Sequence, residues 1–165
     1  MKLFLQSDLP FDAKTAWSIF ESPEFEARLE ETTDIRCEVL STEQKGDVTV
    51  RRLRYTAKSD LPTIAAKALG TKNLTYVQTN TFDPAKSQLC WDVDLPMVGD
   101  RVSVGGTTTI NDSPTGCRRV VDGDISVRMR LVGGQIEKAV VAQFKKSMER
   151  AVDLARDIAR EQGHA

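Results

Sequence analysis

At 165 residues the chain has the length of one ordinary domain, enough to bury about 70% of the surface its unfolded form exposes. Its 23 lysines and arginines against 24 aspartates and glutamates leave a formal charge of -1, which removes the broad attraction by which strongly basic proteins hold nucleic acid or anionic membrane. One histidine, the penultimate His164, and three cysteines without paired short spacings argue against a histidine base, a catalytic triad, a metal site or a redox pair inside the fold.

The opening MKLFLQSDLP reads as a first strand. Its apolar run, Leu3 to Leu5, is far too short for a secretory core, and no later run approaches a membrane span, so a cytoplasmic protein without stable membrane insertion is expected. FDAKTAWSIF follows as a helix capped by Asp12, with Ala13, Ala16, Trp17 and Phe20 at helical spacing. SPEFEARLEE is a second short helix, with Ser22 as N-cap and Pro23 in the first helical position.

From residue 34 to residue 131 the pattern changes to period two. DIRCEVLS alternates cleanly, whereas DVTVRRLRYT carries Val48 and Val50 out of phase with Leu53 and Tyr55, and a bulge at Arg51-Arg52 would restore one apolar face. LTYVQTNTF, QLCWDVDL, RVSVGGTTTI and CRRVVDGDISVRMRL continue the strands, with turn signals at Asp83-Pro84, Pro96 to Gly99 and NDSPTG. Asp122-Gly123 fits either a hairpin turn or a bulge within one long strand. DLPTIAAKALG, between the third and fourth strands, reads as a short helix, and Cys37, Cys90 and Cys117 as small buried hydrophobes within strands.

The last element is one long amphipathic helix from about Gly134 to Glu161. At about 100° per residue, Ile136, Val140, Phe144, Met148, Ala151, Leu154, Ala155 and Ile158 share an arc of roughly 160°, and the helix is on the order of 40 Å long. Gly133-Gly134 would let the chain leave the last strand sharply, so that the helix folds back across the sheet. No repeat or linker interrupts the sequence, so residues 1–165 are read as a single domain.

The order of strand, two short helices, a run of antiparallel strands and one long C-terminal helix resembles the helix-grip fold of the START-like (SRPBCC) superfamily, which includes lipid-transfer domains, the pollen-allergen family and aromatase/cyclases. The junction SVRMRLVGGQIEKAV and the opening FDAKTAWSIFESPEFEARL are similar to an uncharacterised bacterial family within it, departing at Arg130 and Gln135. The resemblance implies an α+β fold in which a curved antiparallel sheet wraps around the C-terminal helix and leaves a cavity for a hydrophobic small molecule such as a lipid, quinone or polyketide-like compound.

On the strand faces that carry Leu53, Phe82, Leu89 and Val93, the residues Tyr55, Tyr76, Gln78, Asn80 and Trp91 would line that cavity, joined by Met129 from the last strand. Val140, Phe144, Ser147 and Met148 would close it from the helix, and each of these residues also reads as an ordinary packed side chain. Glu137 lies inside the apolar arc. It would be either a ligand anchor or proton-transfer group, or a carboxylate that complements the helix dipole in the first turn. The groups Arg51-Arg52-Arg54, Arg118-Arg119 and Arg128/Arg130 read as a solvated outer stripe, and the segments around Met97 and residues 61–70 either as lids or as closure of the core. No catalytic residue, cofactor or metal ligand is assigned. The rival readings are a cyclase or dehydratase using Glu137, and a closed-core module that binds protein. A monomer and a dimer both fit.

Overall fold

A computed structural model of the chain describes residues 1–164. Seven strands run β1 (Lys2–Leu9), β2 (Ile35–Lys45), β3 (Val48–Ala57), β4 (Thr75–Asp83), β5 (Gln88–Asp94), β6 (Val102–Ser113) and β7 (Gly116–Val127). Four α-helices accompany them: α1 (Ala13–Phe20), α2 (Pro23–Thr32), α3 (Thr63–Leu69) and α4 (Gly133–Glu161). The strands form one open antiparallel sheet in the order β1-β7-β6-β5-β4-β3-β2. The long final strand therefore pairs with the first, and the chain between them is laid down as a meander.

Local chemistry starts the first two helices where the sequence places them. The Asp12 carboxylate accepts the Thr15 amide at 2.7 Å, and the Ser22 hydroxyl accepts the Phe25 amide at 3.2 Å, each satisfying an amide that the first helical turn leaves unpaired. Pro23 takes the first helical position of α2, where its missing N–H costs nothing. α3 ends on Gly70 at φ 68°, the left-handed conformation glycine adopts freely.

Strand phase differs from expectation at two places. β3 pairs with β4 without interruption from Thr49↔Phe82 to Thr56↔Thr75, so there is no bulge at Arg51-Arg52. The register shift lies instead on β2, between Val39 and Ser41. Val48 and Val50 consequently face outward, and Arg51 shares the inner face with Leu53 and Tyr55. β7 passes straight through Asp122-Gly123, paired with β1 on one side and β6 on the other, with neither turn nor bulge.

The junction into α4 is also built differently. β7 ends at Val127, before Met129 and Leu131, and the left-handed residue in the connection is Leu131, at φ 71°. Gly133 and Gly134 already belong to the first turn of α4. A Cβ on Gly133 would stand 2.5 Å from the Val127 carbonyl oxygen, whereas one on Gly134 would meet nothing within 4 Å. Gly133 thus permits close approach of helix and strand, and the bend is made upstream of both glycines.

Two apolar cores lie between α4 and the sheet. The first gathers Leu9, Phe11, Trp17, Ile19, Phe25 and Ile110 around Ala151, Leu154, Ala155 and Ile158, under the C-terminal half of α4. The second gathers Leu3, Trp91, Val93, Val104, Val121 and Ile125 around Val141, under its N-terminal half. No residue of α4 between Val141 and Ala151 is buried. No helix among the described residues is long and apolar enough to cross a membrane.

Candidate functional site

Register fixes which side chains look inward. One row crosses the sheet as Arg51, Asn80, Trp91, Gly106, Gly123 and Leu3, and alternate residues on each strand share its face. The Trp91 indole lies over the two glycines of this row: a Cβ on Gly123 would stand 2.7 Å from its ring and one on Gly106 2.8 Å. Glycine at both positions creates the bed for the ring. Phe144 of α4 stacks on Trp91 from above, with centroids 6.1 Å apart and planes inclined by 21°. Trp91 is 4% exposed, and its Nε1–H has no hydrogen-bond partner among the described residues.

Beyond this stack the cover thins. α4 packs chiefly on β7, β1, α1 and α2, and reaches β5 through Phe144. β4 is hydrogen-bonded on both edges, yet none of its nine residues is buried. Its inward side chains are Tyr76, Gln78, Asn80 and Phe82. Tyr76 stacks on Tyr55 of β3 at 5.3 Å and 28°. Gln78 Nε2 donates to Asn80 Oδ1 at 2.8 Å, which holds the two amides together as a polar strip on an aromatic wall. Burial pushes both tyrosine hydroxyls well above the ordinary phenol range, with the Cys37 thiol adding to the shift. Both residues are half-buried by accessible surface.

From the helix, Val140, Phe144 and Met148 contact the second core while remaining partly accessible, and Ser147 lies between them. Met129, in the connection after β7, packs against the same core. Of the residues expected to line a cavity, Tyr76, Trp91, Val140, Phe144, Met148 and Met129 thus meet at the second core, Tyr55, Gln78 and Asn80 share the inner sheet face, and Ser147 is half-buried on α4. Glu137 has other work: its carboxylate accepts the Val127 amide at 2.8 Å, tying the end of β7 to the first turn of α4.

Arg51 and Arg119 do not belong to an outer stripe. Arg118 does, pairing with Asp8 across the β7–β1 ladder at 2.8 Å. Arg119 is in phase with Cys117, Val121 and Ile125, all buried, and points inward. Arg51 ion-pairs with Glu26 of α2. Glu21, at the α1–α2 junction, is half-buried, and its carboxylate makes no hydrogen bond among the described residues; desolvation raises its pKa, Arg51 opposes that and Glu26 reinforces it. Period-two phasing from Leu53 and Val121 points to both inward arginines; arginine's usual preference for the surface masks the signal.

The three cysteines are free. Cys117 is fully buried, with its thiol pushed up to about 11 by desolvation, and Cys37 lines the inner face beside Tyr55. Cys90, expected to be buried, is exposed because β5 turns it outward. A cavity of about 20 Å³ between α2 and β2–β3, lined by Glu26, Leu29, Cys37 and Tyr55, has room for roughly one water. A wide cleft of about 630 Å³ is lined by Asp92, Asp94, Asp100, Ser103 and Arg128, a polar surface unsuited to an apolar body. Among the described residues no group of three His, Cys, Asp or Glu side chains is placed to hold a metal.

Several solved structures share this arrangement. The Zhui aromatase/cyclase of Streptomyces sp. R1128 superposes with a TM-score of 0.69 at 13% identity, covering 100% of this chain and 96% of the other. A START superfamily protein of Mycobacterium smegmatis gives 0.62 at 17% identity over 98% of each chain. Ara h 8.0201 gives 0.65 at 9% identity, again over 98% of each. At these identities the likeness is one of fold. No curated protein matches the sequence. Residues 5–158 match the family described as "Protein of unknown function (DUF2505)".

Proposed function

The chain belongs to the DUF2505 family of proteins of unknown function and has the helix-grip fold of the START-like superfamily, and from that premise we propose that it binds a hydrophobic or amphipathic small molecule between β3–β5 and the middle of α4. The observation that carries this is β4: a strand paired on both edges whose inward side chains are nonetheless all partly open. A closed core at ordinary packing density would bury Tyr76 and Phe82. On this reading the ligand lies against the stretch of α4 between Val141 and Ala151, where no residue is buried and Phe144, Ser147 and Met148 are half-buried.

The wall chemistry suits a ligand with a flat or flexible apolar body and a few hydrogen-bonding atoms. Stacked Tyr55 and Tyr76, with Phe144, supply apolar area. The Gln78–Asn80 strip supplies donors and acceptors that fix orientation. Two of the structural likenesses agree in kind, one to an aromatase/cyclase and one to a START superfamily protein.

The test is uptake of the neutral fluorophore N-phenyl-1-naphthylamine by the wild-type protein and by Ser147→Trp, which puts an indole in the gap. Uptake at micromolar protein, weakened at least tenfold by Ser147→Trp without loss of folding, is the expected result. No uptake, or uptake indifferent to Ser147→Trp, would count against this site. Native mass spectrometry of the freshly purified protein, followed by extraction, then identifies a resident ligand's chemical class.

A further inference from the structure

Two arginines stand on the inner face of the sheet, and they differ in one respect. Arg51 has its carboxylate in Glu26. Arg119 has none: no hydrogen bond or ion pair reaches its guanidinium among the described residues. Its cross-strand neighbours are Ile110 and Ser7, and its neighbours along the same face of β7 are Cys117 and Val121. Ile110, Cys117 and Val121 are fully buried. The guanidinium carbon lies 5.0 Å from the centre of the Phe20 ring, which helps hold the cation in place but leaves its N–H groups unmatched.

An unpaired cation among apolar side chains is costly, and folds ordinarily pair it or place it in water. Desolvation, with no carboxylate to oppose it, pulls the guanidinium down to about 10. The residue is half-buried, so part of its surface stays accessible. Arg119 is four residues from Gly123, the glycine beneath Trp91, or about 13 Å along β7.

We propose that Arg119 is the anchor for the acidic end of the ligand: the molecule bound here is an apolar carboxylic acid whose carboxylate meets the guanidinium beside Phe20. The inference rests on the binding function proposed above and narrows it to a substrate class. A carboxylate matches the site in charge and shape, since one guanidinium compensates one negative charge and its N–H fork grips two oxygens. A phosphate dianion would leave a second charge uncompensated.

The experiment compares cis-parinaric acid with its methyl ester, by probe fluorescence, in wild type, Arg119→Met and Arg119→Lys. Wild type is expected to bind the acid at least tenfold more tightly than the ester. Arg119→Met should bring the acid down to the ester's affinity and leave the ester unchanged, and Arg119→Lys should keep part of the preference. Ester and acid bound equally by wild type would overturn the anchor while leaving the binding function standing; failure of both probes to bind would remove the binding function as well. A second measurement needs only wild type. With [1-¹³C]dodecanoate, the bound carboxyl should stay ionised to lower pH than the free acid, and a bound carboxyl that titrates at or above the free value overturns the anchor.

Discussion

Gly133 and Gly134 are adjacent and chemically identical, yet their surroundings assign them opposite sensitivities. A methyl group on Gly133 collides with the Val127 carbonyl, and because that carbonyl belongs to the last residue of β7, neither backbone yields easily. Gly133→Ala should cost about 1–3 kcal/mol, the usual range for overpacking. Gly134→Ala meets open space and should gain up to about 1 kcal/mol through helix propensity. Urea unfolding of the two variants decides between close approach and hinge, since a hinge that needed both glycines would make both alanines destabilising. Glu21 gives a second prediction at this scale. Its carboxyl is raised by desolvation, so the folded state holds the proton more tightly than the unfolded chain does. Stability is then full below the ordinary carboxylate pKa and falls as pH rises toward the raised value. Glu21→Gln should raise the melting temperature by a few degrees at pH 7.5 and leave it nearly unchanged at pH 4. An equal shift at both values would show that charge burial is not the cause. Arg119→Met, which removes an unpaired buried cation, should also melt higher than wild type in the absence of ligand.

At the level of elements, the connection from β7 to α4 concentrates the strain. Leu131 adopts φ 71° and is 96% exposed, so its side chain contributes no burial while its Cβ crowds the backbone. Leu131→Gly should therefore stabilise the protein by about 1 kcal/mol, measured by thermal unfolding, and a loss of stability would mean that the leucine makes a contact in solution. Such features also mark what was legible in the sequence. Helix starts were readable because Asp12, Ser22 and Pro23 act through bonds within one turn, and the amphipathic arc of α4 was readable because its period is intrinsic. Strand phase was readable from the apolar positions of β7, Val121, Ile125 and Val127, and hidden at Arg119. It misled in β3, because Val48 and Val50 face outward and Arg51 faces Glu26, a partner on a helix some 25 residues earlier that no local pattern announces. That Tyr55, Tyr76, Gln78, Asn80 and Trp91 share one sheet face followed from period two. The role of Glu137 did not, because its partner, the Val127 amide, is defined only once the junction is built.

For the molecule as a whole, two cores under one helix imply that α4 is not uniformly held. Its C-terminal half buries Ala151, Val152, Leu154, Ala155, Ile158 and Ala159, and Arg28 of α2 clasps Glu161 through two bonds of 2.6 and 3.0 Å. Its N-terminal half buries Gly133, Ile136 and Val141, with Glu137 tied to β7. The first half to open should be the one with less buried area, because local opening is opposed chiefly by the apolar surface it exposes. Amide hydrogen exchange should thus be faster for residues 138–148 than for 151–160. A ligand between β4 and the middle of α4 adds contacts to Phe144, Ser147 and Met148, so occupancy should slow exchange in 138–148 selectively and raise the melting temperature with ligand concentration. Protection spread evenly over the whole helix would indicate that the ligand stabilises the fold from elsewhere. A solid core offers no reason for a gradient that a ligand can erase, so the same experiment separates a binding domain from a closed interaction module.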